Sequence, residues 1–234
     1  MANIGRSLND TWKPYQQTYE TLSDNQLLNE LHWSSDKKRY GDYGLHTDGT
    51  KLKRPPRLPD QDPNKQRDME RVVTKEPTKR LVTSYFGYVS LFPLLTQILD
   101  AKGEQLGHLL TDLRDEKLLW TNYGLRSLAK TSPLYQKHNT EHDPPYWRGA
   151  IWINMNYLAI RSLHHYSQVT GPHQSTAAKL YTELRQNVMY NLLSEYKRTG
   201  YIWEQYDDQS GMGKGCHPFT GWSSLVTLIM AEKY

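Results

Sequence analysis

The spacing of apolar residues along the chain predicts a helical protein. Apolar side chains recur at intervals of three and four residues, which is the pattern of helices that bury one face. Two shorter segments, 33–44 and 201–206, are predicted to be extended pieces that pair locally. We therefore expect six helices in consecutive antiparallel pairs and an all-α fold class. The predicted helices are residues 15–31, 85–99, 105–119, 149–166, 173–196 and 221–234.

The segment from residue 51 to residue 80 differs from the rest of the chain. It holds 10 Lys and Arg against 5 Asp and Glu, whereas the whole chain has a net charge of only +4. Five prolines and almost no apolar periodicity are typical of a solvated, mobile insertion. No aromatic residue interleaves the basic ones, so a nucleic-acid partner is not predicted. We expect one domain over residues 1–234 with a flexible, basic, proline-rich insertion at 51–80.

Aromatic residues are frequent in this sequence. The 234 residues include 17 Tyr and 7 Trp, while apolar residues make up 37%. A chain of this length can bury one sizeable core, so much of the aromatic surface is expected to line a cavity. The one cysteine, Cys216, excludes an intrachain disulfide, and a catalytic thiol there is the less favoured interpretation. No metal or cofactor is predicted, because His164 and His165 diverge on a helix and the pair Asp207 and Asp208 suits a turn as well as calcium.

A carboxylate among aromatic residues is the most informative feature of the C-terminal part. Glu204 lies between Trp203 and Tyr206, just before the glycine-rich residues 211–215, and Trp222 follows. Aromatic faces stack on sugar rings, and a carboxylate near apolar surface can activate a water molecule. Glu204 is therefore the candidate catalytic residue of a sugar-hydrolysing site, and the three aromatic residues are candidate substrate contacts. The alternative is a solvated glutamate at a helix end among ordinary core aromatics.

A second cluster, in residues 141–154, carries the same chemistry. Two prolines keep its backbone extended until a helix begins, so its acidic, aromatic and guanidinium groups meet at one loop-to-helix junction. Presentation on rigid elements suits recognition of a polyhydroxylated ligand. The alternative is a hydrophobic staple with a salt bridge at the start of a helix. The candidate substrate-binding residues of this cluster are Glu141, Asp143, Tyr146, Trp147, Arg148 and Trp152.

Six stretches of the sequence carry a family resemblance. The longest are EHDPPYWRGAIWINMNYLAI at 141–160 and WEQYDDQSGMGKGCHPFTGWSSLVTLIMAE at 203–232, and the others are LNELHW, YGDYGLHT, YFGYVSLFPLL and LWTNYGLRSLA. Together they resemble the C-terminal catalytic region of the mannosyl-oligosaccharide glucosidases of glycoside hydrolase family 63. The resemblance runs in order through most of the chain and is weak only at about 51–79, so its motifs are highly specific.

The resemblance implies an inverting exo-α-glucosidase that removes the terminal α-1,2-linked glucose from the N-glycan precursor. The implied partner is a glucosylated N-glycan oligosaccharide, the implied location is the lumen of the endoplasmic reticulum, and the implied fold is an (α/α)6 toroid. This chain would form the C-terminal portion of that toroid. The resemblance implies that Glu204 corresponds to the glutamate that acts as the general base in this family. Relatives carry an N-terminal membrane anchor, whereas this sequence begins without an apolar targeting segment, so no membrane contact by the chain itself is expected.

The second acid of an inverting pair is not evident in this sequence. The resemblance implies that the general acid is an aspartate in a motif similar to Asp-Asp-Tyr-Pro-Arg, and no such run occurs here. We expect the chain to carry the base without the acid, which makes the N-terminal part of the enzyme a candidate partner. Glu141 and Asp143 are the in-chain alternatives, although they match positions that line the sugar subsite. Two other functions stay open: a glycan-binding remnant without turnover, and a helical interaction scaffold whose aromatic residues are core.

Overall fold

The computed structural model describes residues 11–138, 140 and 143–234. Helices form the core, as the apolar spacing predicted, and two turns of 3-10 helix lie at Tyr88–Leu91 and Trp222–Leu225. The α-helices are α1 (Lys13–Leu22), α2 (Asn25–His32), α3 (Phe92–Leu95), α4 (Glu104–Arg114), α5 (Ile153–Gln168), α6 (Gln174–Thr199) and α7 (Val226–Met230).

The prediction of one helix over 15–31 is wrong, because the chain breaks there into α1 and α2. Asp24 has extended backbone angles, and its carboxylate accepts hydrogen bonds from the amides of Gln26 and Leu27 at 2.9 and 3.2 Å. An aspartate that accepts such bonds is an N-cap, which begins a new helix. The apolar spacing continues across this cap, so it did not reveal the break.

The other predicted helices differ in extent, and the helix predicted at 85–99 is reduced to the 3-10 turn at Tyr88–Leu91 and the four-residue helix α3. Pro93 has no amide hydrogen and lies in the first turn of α3, so a 3-10 turn rather than α-helix precedes it. The helix predicted at 149–166 begins only with α5, because Ile151 instead exchanges backbone hydrogen bonds of 2.8 and 3.0 Å with Tyr206. The helix predicted at 105–119 ends at Arg114. In 221–234, a 3-10 turn precedes the short helix α7.

The pair α5 and α6 organises the core and positions the site. A short connection joins these two long helices, so they lie antiparallel, as the predicted pairing required. The start of α5 and the end of α6 therefore share one end of the pair, where the segments before and after them meet. Burial of one face of each helix stabilises the arrangement. The buried apolar residues are Ile153, Ala159, Ile160 and Leu163 on α5 and Ala177, Leu180, Leu184, Val188 and Leu192 on α6.

Short strands accompany the helices, but they form no closed sheet, so the predicted helical class holds for the described residues. Five two-stranded antiparallel sheets are present among them, and the extended segments predicted at 33–44 and 201–206 are confirmed. The toroid stays a prediction. The sheets pair β1 (Trp33–Ser34) with β2 (Arg39–Tyr40), β3 (Asp42–His46) with β6 (Thr78–Val82), β4 (Thr50–Lys53) with β5 (Glu70–Val73), β7 (Trp120–Thr121) with β8 (Gly124–Leu125), and β9 (Gln205–Tyr206) with β10 (Gly213–Lys214).

The basic segment 51–80 contains regular structure. Every residue of β4 and β5 is exposed, which agrees with a solvated segment, and these two strands pair along four residues each. Strands β3 and β6 flank β4 and β5 in the sequence and pair with each other, so they join the two ends of this segment. The segment is therefore part of an exposed strand ladder, and its flexibility stays a prediction.

Candidate active site

Both carboxylate oxygens of Glu204 are held by hydrogen bonds. The Tyr146 hydroxyl donates to Oε1 at 2.7 Å, and the backbone amide of Cys216 donates to Oε2 at 3.1 Å. The amide of Glu204 in turn donates to the Cys216 carbonyl at 3.0 Å. Glu204 is only 8% exposed, so its orientation is fixed by these partners rather than by solvent. The solvated-glutamate alternative does not fit this geometry.

These hydrogen bonds also set the ionisation of the pair. The hydroxyl of Tyr146 lowers the pKa of Glu204 from its ordinary value of 4.5, and the Cys216 amide and thiol add to this effect against the opposing influence of burial. The same contact raises the pKa of Tyr146 to about 12. Glu204 is therefore a carboxylate at neutral pH and Tyr146 is its proton-bearing donor. An ionised carboxylate is the form that a general base requires.

Gly215 allows the backbone to close on Glu204. Its φ of +75° lies in the left-handed region that favours glycine. A Cβ atom added there would lie 2.6 Å from Glu204 Oε2 and 3.1 Å from Glu204 Cβ. Strands β9 and β10 bring this turn back beside the glutamate. The glycine-rich sequence thus gives the Cys216 amide access to the carboxylate.

Aromatic rings form one wall around the glutamate. The indoles of Trp147 and Trp152 stack with centroids 3.8 Å apart and planes 9° apart. Tyr146 meets Trp152 edge-on at 4.7 Å, and Trp222 lies 5.6 Å from Trp152. The indole nitrogen of Trp222 donates to the carbonyl of Glu204 at 2.8 Å. The two predicted clusters, far apart in the sequence, therefore meet at one place.

A cavity of about 500 Å³ opens beside this wall and is lined by residues 143–148. Tyr146 and Trp147 are 41% and 43% exposed, and Asp143 is exposed as well. Arg148 Nη1 donates to the carbonyls of Lys137 and His138 at 3.3 and 2.9 Å, so part of its guanidinium fastens the loop. The cavity thus presents aromatic surface and one carboxylate, which suits a sugar.

Two predicted contact residues lie beneath this surface. Trp152 and Tyr206 are both fully buried, so neither presents a surface to the cavity in this structure, and their contact with substrate stays a prediction. The Tyr206 hydroxyl accepts a hydrogen bond from the Trp203 amide at 3.2 Å, and Trp152 supports the ring of Trp147. Trp203 is half-buried, and its ring centroid lies 3.7 Å from that of His217 with the planes tilted by 32°. Glu141 lies outside the described residues.

A buried ion pair braces the strand that follows Glu204. Arg126 Nε lies 2.8 Å from Asp208 Oδ2, and the two side chains are 3% and 0% exposed. The Tyr135 hydroxyl donates to the same oxygen at 2.7 Å, and Gln136 donates to the other at 3.3 Å. Asp208 is therefore occupied by protein partners, which removes it as a calcium ligand.

The sequence did not point to Cys216 and Gly215 as parts of the glutamate's setting, because their contributions come from the backbone. Glu195 was also missed: its carboxylate accepts the Gly213 amide at 2.9 Å and binds Arg198 through two contacts of 2.7 and 2.8 Å. The only hint was the acid-to-base spacing of three residues on a helix.

Two structural features bear on metal binding and membrane insertion, both for residues 11–138, 140 and 143–234. No grouping of three His, Cys, Asp or Glu side chains suited to a metal ion occurs among them. Nor does any helix there combine the length and apolar character that crossing a membrane requires.

Comparison with known proteins gives one consistent family. The sequence profile of the glycosyl hydrolase family 63 C-terminal domain matches residues 1–232. The chain is 46% identical to the mannosyl-oligosaccharide glucosidase GCS1 of Arabidopsis thaliana over 220 residues, which covers 94% of this chain and 26% of that protein. It is 45% identical to alpha-glucosidase 2 of the same plant, with 94% and 28% covered. A probable mannosyl-oligosaccharide glucosidase of Schizosaccharomyces pombe is 44% identical over 149 residues, 63% of this chain and 18% of that protein. The chain thus spans about a quarter of the length of the two plant relatives.

Proposed function

Because the chain belongs to glycosyl hydrolase family 63, as its motifs predicted, we propose that it carries the general base of an inverting exo-α-glucosidase. The observation that supports this proposal best is Glu204, a buried carboxylate held on both oxygens, whose partner Tyr146 lines an aromatic cavity. Its lowered pKa keeps it ionised at neutral pH.

In the proposed reaction Glu204 takes a proton from a water molecule as that water attacks the anomeric carbon. The bond between this carbon and the leaving oxygen breaks, and a second carboxyl group protonates the leaving oxygen. Inversion requires the two carboxyl groups to lie about 6.5–9.5 Å apart, because the water must fit between the base and the sugar. The exposed rings of Tyr146 and Trp147 are proposed to contact the glucose ring.

The second carboxyl group is proposed to come from outside this chain. In the described residues, the Glu204 carboxylate has a hydroxyl and an amide as hydrogen-bond partners, not another acid. The aspartate motif that the resemblance implies does not occur in the sequence. An upstream portion of a family member would supply it across the cavity. Asp143, exposed on the cavity wall, is the in-chain alternative.

The proposed substrate is a glucosylated N-glycan with a terminal α-1,2-linked glucose, trimmed in the lumen of the endoplasmic reticulum. The names of the matched plant and yeast relatives, mannosyl-oligosaccharide glucosidases, support this choice. The antiparallel pair α5 and α6 is consistent with one hairpin of an (α/α)6 toroid. A glycan-binding remnant is the second candidate, since the chain offers one catalytic carboxylate and a sugar-sized cavity.

The test is release of glucose from a triglucosylated N-glycan. The purified chain is assayed alone, mixed with a separately expressed N-terminal portion that carries the aspartate motif, and as Glu204→Gln in both settings. Glu183→Gln, which changes a half-buried glutamate on α6, is the matched control. We expect turnover only in the mixture, its loss in Glu204→Gln, and its retention in the control. Glycan binding without turnover in every mixture would favour the remnant, and turnover by Glu204→Gln would overturn the assignment of the base.

A further inference from the structure

The backbone conformation of Tyr146 is unusual for a bulky residue. Its φ is +51°, in the left-handed region that a bulky residue rarely occupies. The left-handed conformation brings the Cβ atom of an L-residue too close to the following carbonyl oxygen, which destabilises it. Strain of this kind persists where surrounding contacts determine the conformation, and it is frequent at functional sites. The contacts that Tyr146 makes therefore show what the strain achieves.

Three contacts fix the Tyr146 side chain. Its hydroxyl donates to Glu204 Oε1 at 2.7 Å. Its ring meets Trp152 edge-on at 4.7 Å and 81°, and meets Trp147 at 6.3 Å and 90°. Trp152 is fully buried, so one of the rings that orient Tyr146 belongs to the rigid core. The phenol is thereby aimed at the glutamate rather than only at the open cavity.

We propose that Tyr146 is a positioning residue for Glu204, whose hydroxyl fixes the rotation of the carboxylate and leaves a defined lone pair for the attacking water. This inference rests on the proposed function and deepens it, since the sequence had suggested Tyr146 only as a sugar contact. A carboxylate oxygen has two acceptor positions. Tyr146 takes one on Oε1 and the Cys216 amide takes one on Oε2. The plane of the carboxylate, and with it the direction of the remaining positions, is then set.

The chemistry of the pair fits positioning. A phenol whose pKa is raised to about 12 keeps its proton through the working pH range and donates throughout. Among the described residues, the titratable side chains that act on Glu204 are Tyr146 and Cys216. Cys216 contributes mainly through its backbone, which no side-chain change removes. Removing the hydroxyl of Tyr146 therefore alters the ionisation and aim of Glu204 while the amide and the thiol of Cys216 stay in place.

The experiment uses Tyr146→Phe, which keeps the ring and its edge contacts and removes only the hydroxyl. The pKa of Glu204 is measured in the purified chain by carbon NMR with labelled glutamate, the signal being assigned with Glu204→Gln. We expect the pKa of Glu204 to move upward in Tyr146→Phe, because the hydrogen bond that favours the carboxylate is lost. This measurement needs neither sugar nor turnover, so it can succeed even if the proposed function fails.

Tyr135→Phe is the matched control, because it removes a tyrosine hydroxyl that donates to a different carboxylate, Asp208, at 2.7 Å. We expect it to lower the melting temperature without moving the pKa of Glu204. In an assembly that releases glucose, Tyr146→Phe is expected to lower kcat by roughly tenfold to a hundredfold, with little change in KM and the acidic limb of the pH profile moved upward. A pKa of Glu204 unchanged by Tyr146→Phe, or moved equally by Tyr135→Phe, would overturn the proposal. A rise in KM alone would make Tyr146 a sugar contact and would also overturn it.

Discussion

Replacing Gly215 by alanine tests whether a glycine is needed at this turn for the backbone to approach the carboxylate of Glu204. The added methyl would lie 2.6 Å from Glu204 Oε2, closer than a carbon and an oxygen can approach without displacement. It would also stand in the left-handed backbone region, at φ +75°. Two separate costs are therefore expected, one from the backbone and one from the carboxylate.

Gly200→Ala separates the two costs. Gly200 caps the end of α6 at φ +77°, and no heavy atom lies within 4 Å of the position of its added Cβ. This control therefore carries the backbone cost alone, about 1–2 kcal/mol. Gly215→Ala adds the weakening of the hydrogen bond from Cys216 to a charged group, about 1.5–3 kcal/mol. The total for Gly215→Ala is then roughly 2.5–5 kcal/mol.

The assay is thermal unfolding of the two variants beside the parent chain. One kcal/mol corresponds to about 2–4 °C in a domain of this size, so the two melting temperatures should be resolved. Binding of a disaccharide with an α-1,2 link between two glucose units provides a second measurement, and only Gly215→Ala is expected to weaken it. Equal melting temperatures, together with unchanged disaccharide binding in Gly215→Ala, would refute the reasoning that the turn is shaped to the carboxylate.

Two further predictions concern buried charges. Asp208→Asn leaves the guanidinium of Arg126 buried without its counter-charge, so we expect a denaturant titration to show a loss of about 3–5 kcal/mol in the free energy of unfolding. The control Lys179→Met breaks an exposed pair and should cost less than about 1 kcal/mol. Equal losses in the two variants would contradict the stabilising role of the buried pair. The two hydrogen bonds from Arg198 lower the pKa of Glu195 below its ordinary value of 4.5. The ionised carboxylate therefore stabilises the fold fully above pH 4.5, and this contribution is lost as the pH falls through the lower pKa of the folded state. Melts across pH 3–7 should therefore show Glu195→Gln less stable than the parent near neutrality, with the gap closing in acid, and a gap that widens in acid would show that the sign is wrong.

The sequence predicted those parts of the site that depend on local side-chain chemistry. Glu204 and Trp222 stand in one motif, and Tyr146 and Trp147 stand in another, so the residue types alone indicated a sugar site. Their meeting followed from an antiparallel helix pair, which a short connection between two periodic segments favours. The motifs indicated a sugar site, whereas the family resemblance implied the reaction and the substrate.

Other features depend on contacts that residue types do not encode. The Cys216 amide binds a carboxylate, but every residue except proline offers an amide. Tyrosine is a residue type that often contacts sugars, yet the backbone pairing of Tyr206 with Ile151 places it under the surface. Asp24 is different, because an aspartate before a new helix is a recognisable cap, and continuous apolar spacing concealed it. The features that the sequence did not predict, such as the Cys216 contact and the burial of Tyr206, thus depend on backbone contacts and long-range strand pairing.

The backbone origin of the Cys216 contact makes the chain convenient to label. Cys216 is the one cysteine of the sequence, and its side chain is exposed while its amide binds Glu204. A thiol-reactive fluorophore can therefore be attached a few ångströms from the carboxylate without deleting the amide that holds it. Such a conjugate would report docking of an oligosaccharide by a change in emission, with no second cysteine to remove and no turnover needed.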